Sequence, residues 1–202
     1  MTPTSTSISP LWRAPRWYSR RRLPAARVPV AIRRDLLATG SLTALVQSLC
    51  EGRFAVRVLR HERRRVALAE RRLLGISDGV HALTRQVFLC CDTHPWVFAH
   101  SVIPDDSLRG PWRRLARLGS RPLGAALFAD PAVRRGPVEI GWLSPGDGLY
   151  DSLGQHVAGE RIWGRRSVFW LHGKPLMVCE FFLPAFARLL AAQAGDRQRK
   201  GE

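Results

Sequence analysis

Two charged side chains lie within otherwise apolar strand patterns, where a charge needs a partner. In residues 83–91, strand alternation places Arg85 on the same face as Val87 and Leu89. In residues 175–183, Glu180 shares a face with apolar residues, and the opposite face is apolar too. A buried, unpaired charge costs several kcal/mol through desolvation, so each group needs an ionic partner, a ligand or water.

The pattern alone leaves two interpretations of Arg85 and Glu180 open. They form a structural ion pair, with each other or with neighbours, or they bind a ligand. A second basic feature, Arg165 and Arg166, lies in another predicted strand. Adjacent strand residues point to opposite sides, so we expect one of these two arginines to face solvent.

Motifs for metal, nucleotide and hydrolase chemistry are missing from the sequence. The six histidines show no H-x-x-x-H spacing and the cysteines no C-x-x-C spacing, so we expect no metal site. The segment 119–124 (GSRPLG) matches neither phosphate-loop pattern, and no G-x-S-x-G elbow occurs. We expect free, buried thiols at all four cysteines, which are Cys50, Cys90, Cys91 and Cys179.

The net charge of +16 raises nucleic-acid binding as a function. Only Lys174 and Lys200 are lysines, and the arginines are spread along the chain among Leu, Ala and Gly. A phosphate-binding surface would favour a clustered basic tract with interleaved aromatic residues. We therefore keep nucleic-acid binding as an alternative and expect no nucleic-acid partner.

The N-terminal segment is basic and lacks acidic residues as far as Asp35. We interpret residues 1–30 as a flexible basic arm that makes transient contact with a membrane surface. The arm has no apolar stretch long enough for a secretory signal, and no run of about 20 apolar residues occurs in the chain. These features predict a cytoplasmic protein.

The remaining pattern predicts one domain over residues 31–195 and a polar tail over 196–202. Two β-hairpins are indicated, the first over 83–104 and the second over 162–183, with its turn at Gly173–Lys174. Short helices are predicted around them, including one capped by Ser41 and one that begins at Pro184 and ends before Gly195. Strands that come in hairpins, without strand-helix alternation, indicate an α+β fold with an antiparallel sheet.

Five sequence blocks, in this order, resemble the chorismate pyruvate-lyase family. They are GSLT (40–43), LTRQVFLCC (83–91), PWVFAHSVIP (95–104), LGSRPLGAALF (118–128) and IWGRRSVFWLHGKPLMVCEFFLP (162–184). The resemblance covers roughly residues 33–186. It implies an antiparallel sheet with helices over a buried ligand cavity, and a cofactor-independent lyase that converts chorismate to 4-hydroxybenzoate and pyruvate for ubiquinone biosynthesis.

The resemblance also implies the site residues. Arg85 and Glu180 match catalytic residues that bind the ligand, and Leu42 and Leu123 match two further substrate-binding positions. Leu42 stands where relatives often have Met, which is a volume-conserving change. His100 stands where members of the family carry Arg, and we expect this change to affect entry or affinity of the substrate.

The chemistry of chorismate suits these positions because chorismate carries two carboxylates. We expect the planar guanidinium of Arg85 to bind the ring carboxylate, aided by the Leu123 N–H at a helix start. Glu180 then accepts a hydrogen bond from the C4 hydroxyl. Whether Glu180 takes the C4 proton, or the enolpyruvyl group takes it internally, stays open. We expect a monomer.

A second alternative is a non-catalytic sensor of a small aromatic acid. Effector domains of some bacterial transcription regulators share this general fold. The sequence shows no helix-turn-helix segment ahead of the domain, which favours the enzyme.

Overall fold

The structure is a computed structural model that describes residues 14–23 and 28–200. The strands are β1 (Trp17–Ser19), β2 (Phe54–Arg65), β3 (His81–Cys91), β4 (His94–Pro104), β5 (Arg134–Arg135), β6 (Glu139–Leu143), β7 (Ile162–Leu171) and β8 (Lys174–Phe182). The α-helices are α1 (Val30–Leu37), α2 (Leu42–Leu49), α3 (Leu68–Leu74), α4 (Asp105–Arg109), α5 (Leu123–Ala129) and α6 (Pro184–Lys200). Two 3₁₀ helices lie at Arg113–Arg117 and Tyr150–His156.

The strands form one antiparallel sheet in the order β1-β6-β7-β8-β4-β3-β2, with β5 beside β7. The predicted α+β class and both predicted hairpins are confirmed. Each hairpin closes through a short turn with a positive φ, 52° at Asp92 and 48° at His172. The second turn is His172–Gly173, one residue earlier than predicted, which matters for the site below.

One sheet face carries Arg85 and Glu180 and is called the front face; the other is the back face. At one end of the front face, α1, α2 and α6 pack on side chains such as Val87 and Phe182. At the other end, α5 and the first 3₁₀ helix pack on side chains such as Leu83 and Leu176. These two apolar clusters leave the middle of the front face between them.

The back face is covered by α3 and the second 3₁₀ helix. Phe88, Phe98 and Phe181 form its centre, and Leu74 of α3 and Leu153 of the 3₁₀ helix pack on them. Both faces are therefore buried, which explains why the strand around Glu180 is apolar on both sides.

Helix boundaries follow local signals in part. Ser41 caps α2 as predicted, because its hydroxyl accepts the Ala44 N–H at 3.2 Å. The prediction that the last helix ends before Gly195 is wrong, since α6 continues to Lys200. Residues 196–200 of the predicted tail are thus helical.

The predicted basic arm contributes to the sheet. Trp17–Ser19 pair with β6, and the Trp17 ring lies 5.7 Å from the ring of Phe181. Trp17–Ser19 are therefore part of the sheet, whereas the sequence predicted that they belong to a flexible arm. Residues 1–13 and 24–27 of the arm lie outside the described residues.

The prediction of four free thiols is wrong for two cysteines. Cys50, which follows α2, forms a disulfide with Cys91 at the end of β3, with 5.5 Å between their Cα atoms. The β2–β3 register sets Phe54 opposite Cys91 and so brings Cys50 close. Cys90 and Cys179 are free and buried, as predicted. Among the described residues, no helix is both long and apolar enough to cross a membrane.

Candidate active site

A cavity lies on the front face between the two apolar clusters. Its floor is formed by side chains of β3, β4, β7 and β8, and its cover by α2 and α5. The floor carries Arg85, Arg165 and Glu180 together with Ser101. The charges expected from strand alternation therefore share one enclosed space.

Arg85 is 3% exposed and has no carboxylate partner among the described residues. Its Nη2 donates to the carbonyls of Gly119 (2.9 Å) and Arg121 (3.1 Å), in the loop before α5. Its Nε is buried without a hydrogen-bond partner. Burial lowers the pKa of this guanidinium. A structural ion pair between Arg85 and Glu180 is therefore excluded, and Arg85 keeps donor capacity for an anion.

Glu180 pairs with Arg165 instead. Arg165 Nε donates to Glu180 Oε2 at 2.8 Å, and the other guanidinium nitrogens donate to the carbonyls of Asp35, Ala38 and Gly40. Arg165 is 2% exposed. It fixes the Glu180 carboxylate and at the same time the segment between α1 and α2. No described residue donates to Glu180 Oε1.

Arg165 is one of the cavity residues that sequence reasoning missed, and the position of a turn explains why. A hairpin turn at His172–Gly173 pairs Arg165 with Glu180, as observed. The turn expected one residue later would pair Glu180 with Ser167. The expectation that one of the two arginines faces solvent is also wrong. Arg166 points to the back face, where its Nε donates to Glu139 at 2.7 Å with its side chain 14% exposed.

The cover of the cavity depends on close packing between α2 and α5. Leu123, the first residue of α5, lines the cavity, and as the first helical residue its N–H has no acceptor within the helix. Gly124 faces Thr43 of α2, whose Oγ1 would lie 2.6 Å from a Cβ at this position. A side chain at Gly124 would push the two helices apart.

Comparison with known proteins identifies the family. The family model described as chorismate lyase matches residues 16–191. The chain belongs to the chorismate lyase family. A probable chorismate pyruvate-lyase of Azoarcus sp. (strain BH72) is 45% identical over 179 residues, which cover 86% of this chain and 93% of the relative. Another from Methylobacillus flagellatus is 45% identical over 156 residues, covering 76% of this chain and 87% of the relative.

Solved structures of other proteins share this fold. The effector domain of PhnF from Mycobacterium smegmatis superimposes with a TM-score of 0.57 at 15% identity, covering 74% of this chain and 91% of that domain. The C-terminal domain of the histidine utilization repressor from Pseudomonas syringae reaches 0.51 at 12% identity, covering 66% and 93%. At such low identity these likenesses concern the fold that the chorismate lyase family shares with regulator domains.

Of the four residues inferred from the chorismate lyase family, Arg85, Leu123 and Glu180 line the cavity. The side chain of Leu42 does not; it is 2% exposed and packs in the apolar cluster beside the cavity. Its neighbour Thr43 lines the cavity instead. A role of Leu42 in binding remains a prediction that would rest on its backbone.

His100 lies away from the cavity. It is fully buried on the back face, where its Nε2 lies 3.0 Å from Glu70 Oε1. Arg64 donates to both oxygens of the same carboxylate. Burial alone would raise the pKa of Glu70, but the hydrogen bond and charge of His100 and the charge of Arg64 outweigh it and lower that pKa to about 2. His100 does not line the cavity, so the expected effect of this change on entry or affinity of the substrate stays a prediction.

A third arginine, Arg135 of β5, also lines the cavity and was not predicted. Its Nε donates to Ser167 Oγ at 3.0 Å, and its Nη1 donates to the carbonyls of Thr39 and Gly40. Burial, and next the charge of Arg165, lower the pKa of Arg135 to about 10, against the opposing effect of Glu180. The sequence signal was weak, because β5 is only two residues long.

Proposed function

We propose that this member of the family is a chorismate pyruvate-lyase, which cleaves chorismate to 4-hydroxybenzoate and pyruvate. The observation that carries the proposal is the cavity whose floor carries Arg85 on β3 and the Arg165-fixed carboxylate of Glu180 on β8, with β4 between these two strands. A flat ring with a carboxylate at one end and a hydroxyl at the other matches a cation and a hydrogen-bond acceptor in these positions.

In the proposed complex, the free Nε of Arg85 donates to the ring carboxylate of chorismate. The C4 hydroxyl donates to Glu180 Oε1, which has no donor among the described residues. The reaction then breaks the bond between C3 and the ether oxygen and removes the proton on C4, which leaves an aromatic ring.

Two routes balance this proton. In one, Glu180 takes it and the enolpyruvate released is protonated on its methylene carbon to give pyruvate. In the other, the C4 proton passes directly to that methylene carbon as the C3–O bond breaks. Both routes need the same bound geometry and a site shielded from water, and α2 and α5 cover part of the cavity.

We propose further that the reaction needs no cofactor, because aromatisation of the ring already drives loss of the side chain. The enzyme would act as a cytoplasmic monomer, since one chain supplies both the floor and the cover of the cavity. Transient membrane contact through the basic arm would place product close to a membrane pathway that consumes it.

The test is to add chorismate to the purified protein and follow 4-hydroxybenzoate by absorbance and pyruvate by a coupled assay. We expect the two products in equal amounts, at a rate that EDTA does not change. A folded sample that binds 4-hydroxybenzoate but turns over no chorismate would support the sensor alternative and overturn the enzyme. Loss of the rate with EDTA, and recovery with a divalent ion, would overturn only the cofactor-free part.

A further inference from the structure

The cavity holds more positive charge than one carboxylate needs. Arg85 and Arg135 line it on strands that lie at different positions across the sheet, β3 and β5. Arg165 is the third arginine, but its guanidinium already donates to Glu180 and to three carbonyls. This leaves Arg135 to be explained.

The contacts of Arg135 are all with neutral groups. Its hydrogen bonds go to the Ser167 hydroxyl and to two backbone carbonyls, and no described carboxylate lies within ion-pair distance. Its Nη2 makes no hydrogen bond to a described residue. The rings of Phe128 and Phe169 flank the guanidinium, with centroids 5.9 and 5.3 Å from its central carbon. A half-buried guanidinium in this state retains donor capacity for an anion.

The position of Arg135 relative to Glu180 defines which anion that is. Arg135 lies on the Arg165–Glu180 side of the cavity, since its Nε bonds Ser167, two residues from Arg165 on β7. In chorismate the C4 hydroxyl and the ether oxygen on C3 are on adjacent ring atoms, opposite the ring carboxylate. With the hydroxyl on Glu180, the enolpyruvyl group therefore extends from the Glu180 end, away from Arg85.

We propose that Arg135 binds the carboxylate of the enolpyruvyl group, the part of the substrate that leaves as pyruvate. This inference rests on the proposed function. Nη2 of Arg135 donates to that carboxylate beside the rings of Phe128 and Phe169. The product 4-hydroxybenzoate lacks this carboxylate. Arg135 therefore contributes to the binding of chorismate only, whereas Arg85 and Glu180 bind both chorismate and 4-hydroxybenzoate.

The experiment compares Arg135→Gln with the unmodified protein in two measurements, the KM for chorismate and the Kd for 4-hydroxybenzoate. We expect the KM to rise by at least tenfold while the Kd changes by less than twofold. The control is Arg134→Gln, which removes the same charge from the exposed neighbour on β5 and should change neither value.

Two results would overturn the proposal. An unchanged KM would show that Arg135 does not meet the substrate. An equal rise in KM and Kd would show that it acts by holding the segment of Thr39 and Gly40 before α2. Failure of the unmodified protein to turn over chorismate would instead overturn the proposed function.

A second measurement covers the case in which Arg135→Gln does not fold. Inhibition by the stable aromatic dianion 3-(1-carboxyvinyloxy)benzoate is compared with inhibition by 3-propoxybenzoate, which lacks the second carboxylate. The unmodified protein should favour the dianion by at least tenfold, and Arg135→Lys should reduce that preference. Equal inhibition by both compounds, or an unchanged preference in Arg135→Lys, would overturn the assignment.

Discussion

Arg85 has a structural role in the loop before α5 and a proposed role in ligand binding. One of its nitrogens holds the loop before α5 through Gly119 and Arg121, and its Nε is buried without a partner. Lysine has a single ammonium group and cannot reproduce both contacts in the same geometry. Substitution therefore affects both the ligand and the cover of the cavity.

For Arg85→Lys we expect weaker binding of chorismate and of 4-hydroxybenzoate, and for Arg85→Ala a larger loss, on the order of 2–4 kcal/mol. The reason is that a desolvated carboxylate loses its charged donor. Titration with 4-hydroxybenzoate gives the affinity and thermal unfolding gives the stability. Reduced stability with unchanged affinity would mean that Arg85 has only its structural role in the loop.

Glu180→Gln tests how the C4 proton moves. A lost general base typically lowers turnover by about 10²–10⁴-fold, whereas a weakened hydrogen bond costs about tenfold or less. We expect a measurable fall in kcat, and its size separates transfer to Glu180 from internal transfer. The variant also leaves Arg165 without its carboxylate, so unfolding should be measured with kcat.

The matched control is Glu139→Gln, which removes the carboxylate partner of Arg166, outside the cavity. It should lower stability without a comparable fall in kcat. Unchanged turnover and unchanged product affinity in Glu180→Gln would place Glu180 outside the reaction.

The contribution of Glu70, on the back face, to the stability of the fold depends on pH. Folding lowers the pKa of this carboxyl from 4.5 to about 2. A group with a lowered pKa in the folded state stabilises the protein fully above pH 4.5 and loses that contribution as the pH falls towards 2. The contribution at neutral pH is on the order of 3 kcal/mol.

We therefore expect the free energy of unfolding of the unmodified protein to fall between pH 4.5 and 2 more steeply than that of Glu70→Gln. Urea unfolding at several pH values in this range, and at pH 7, measures the difference. Parallel pH dependence in the two proteins would show that the contacts of Glu70 with His100 and Arg64 do not stabilise the fold.

At the scale of elements, the hairpins and the capped helix were predictable because their signals are local. Alternation over 83–104 and the Ser41 cap each depend on a few neighbouring residues. The partner of Glu180 was less predictable. If the turn is placed one residue too late, the residue paired with Glu180 moves by two positions along β7, from Arg165 to Ser167. A two-residue hairpin turn at His172–Gly173 would have paired Glu180 with Arg165 correctly.

Other features depend on pairing between distant segments. The strand β1 pairs with β6 more than 100 residues later, and no local pattern marks it. The Cys50–Cys91 bond follows from the β2–β3 register, which pairs Phe54 with Cys91. Arg135 became a site residue only because β5 lies beside β7. In each case the missing information was which strands pair and with which residues opposite each other.

The strand β1 provides a prediction about the N-terminal segment. Removal of residues 2–13 should leave the melting temperature and kcat close to those of the full chain, because the family match begins at residue 16. Removal of residues 2–22 also deletes β1, which uncovers Phe181 and takes the Trp17 ring from the Arg166 guanidinium. We expect the longer deletion to lower the melting temperature.

Both deletions are compared by thermal unfolding and by turnover of chorismate. Equal melting temperatures would show that β1 adds no stability to the sheet edge. A loss of turnover in the shorter deletion, with the fold intact by circular dichroism, would show that residues 2–13 contribute to the reaction.

At the scale of the whole molecule, both sheet faces are covered, but they differ in content. The front face carries the cavity, which is lined by Arg85, Arg135 and Arg165. The back face carries the packed aromatic rings and the contacts of Glu70 with His100 and Arg64. Glu180 and Cys179 are neighbours on β8 and face opposite sides of the sheet. Changes on the back face should therefore alter stability first, and changes on the front face should alter binding and turnover.

The Cys50–Cys91 bond closes a ring of chain that contains β2, α3 and β3, with a sequence separation of 41 residues. In the chain-entropy treatment, a ring of this size restricts the unfolded ensemble by about 4 kcal/mol. The bond also ties the end of α2, which covers the cavity, to the strand that carries Arg85. Because cytoplasmic thiol systems keep most cysteines reduced, a cytoplasmic enzyme with this bond would exist as two covalent forms. In the reduced form the restriction on the unfolded chain would be absent, and the end of α2 would no longer be tied to β3.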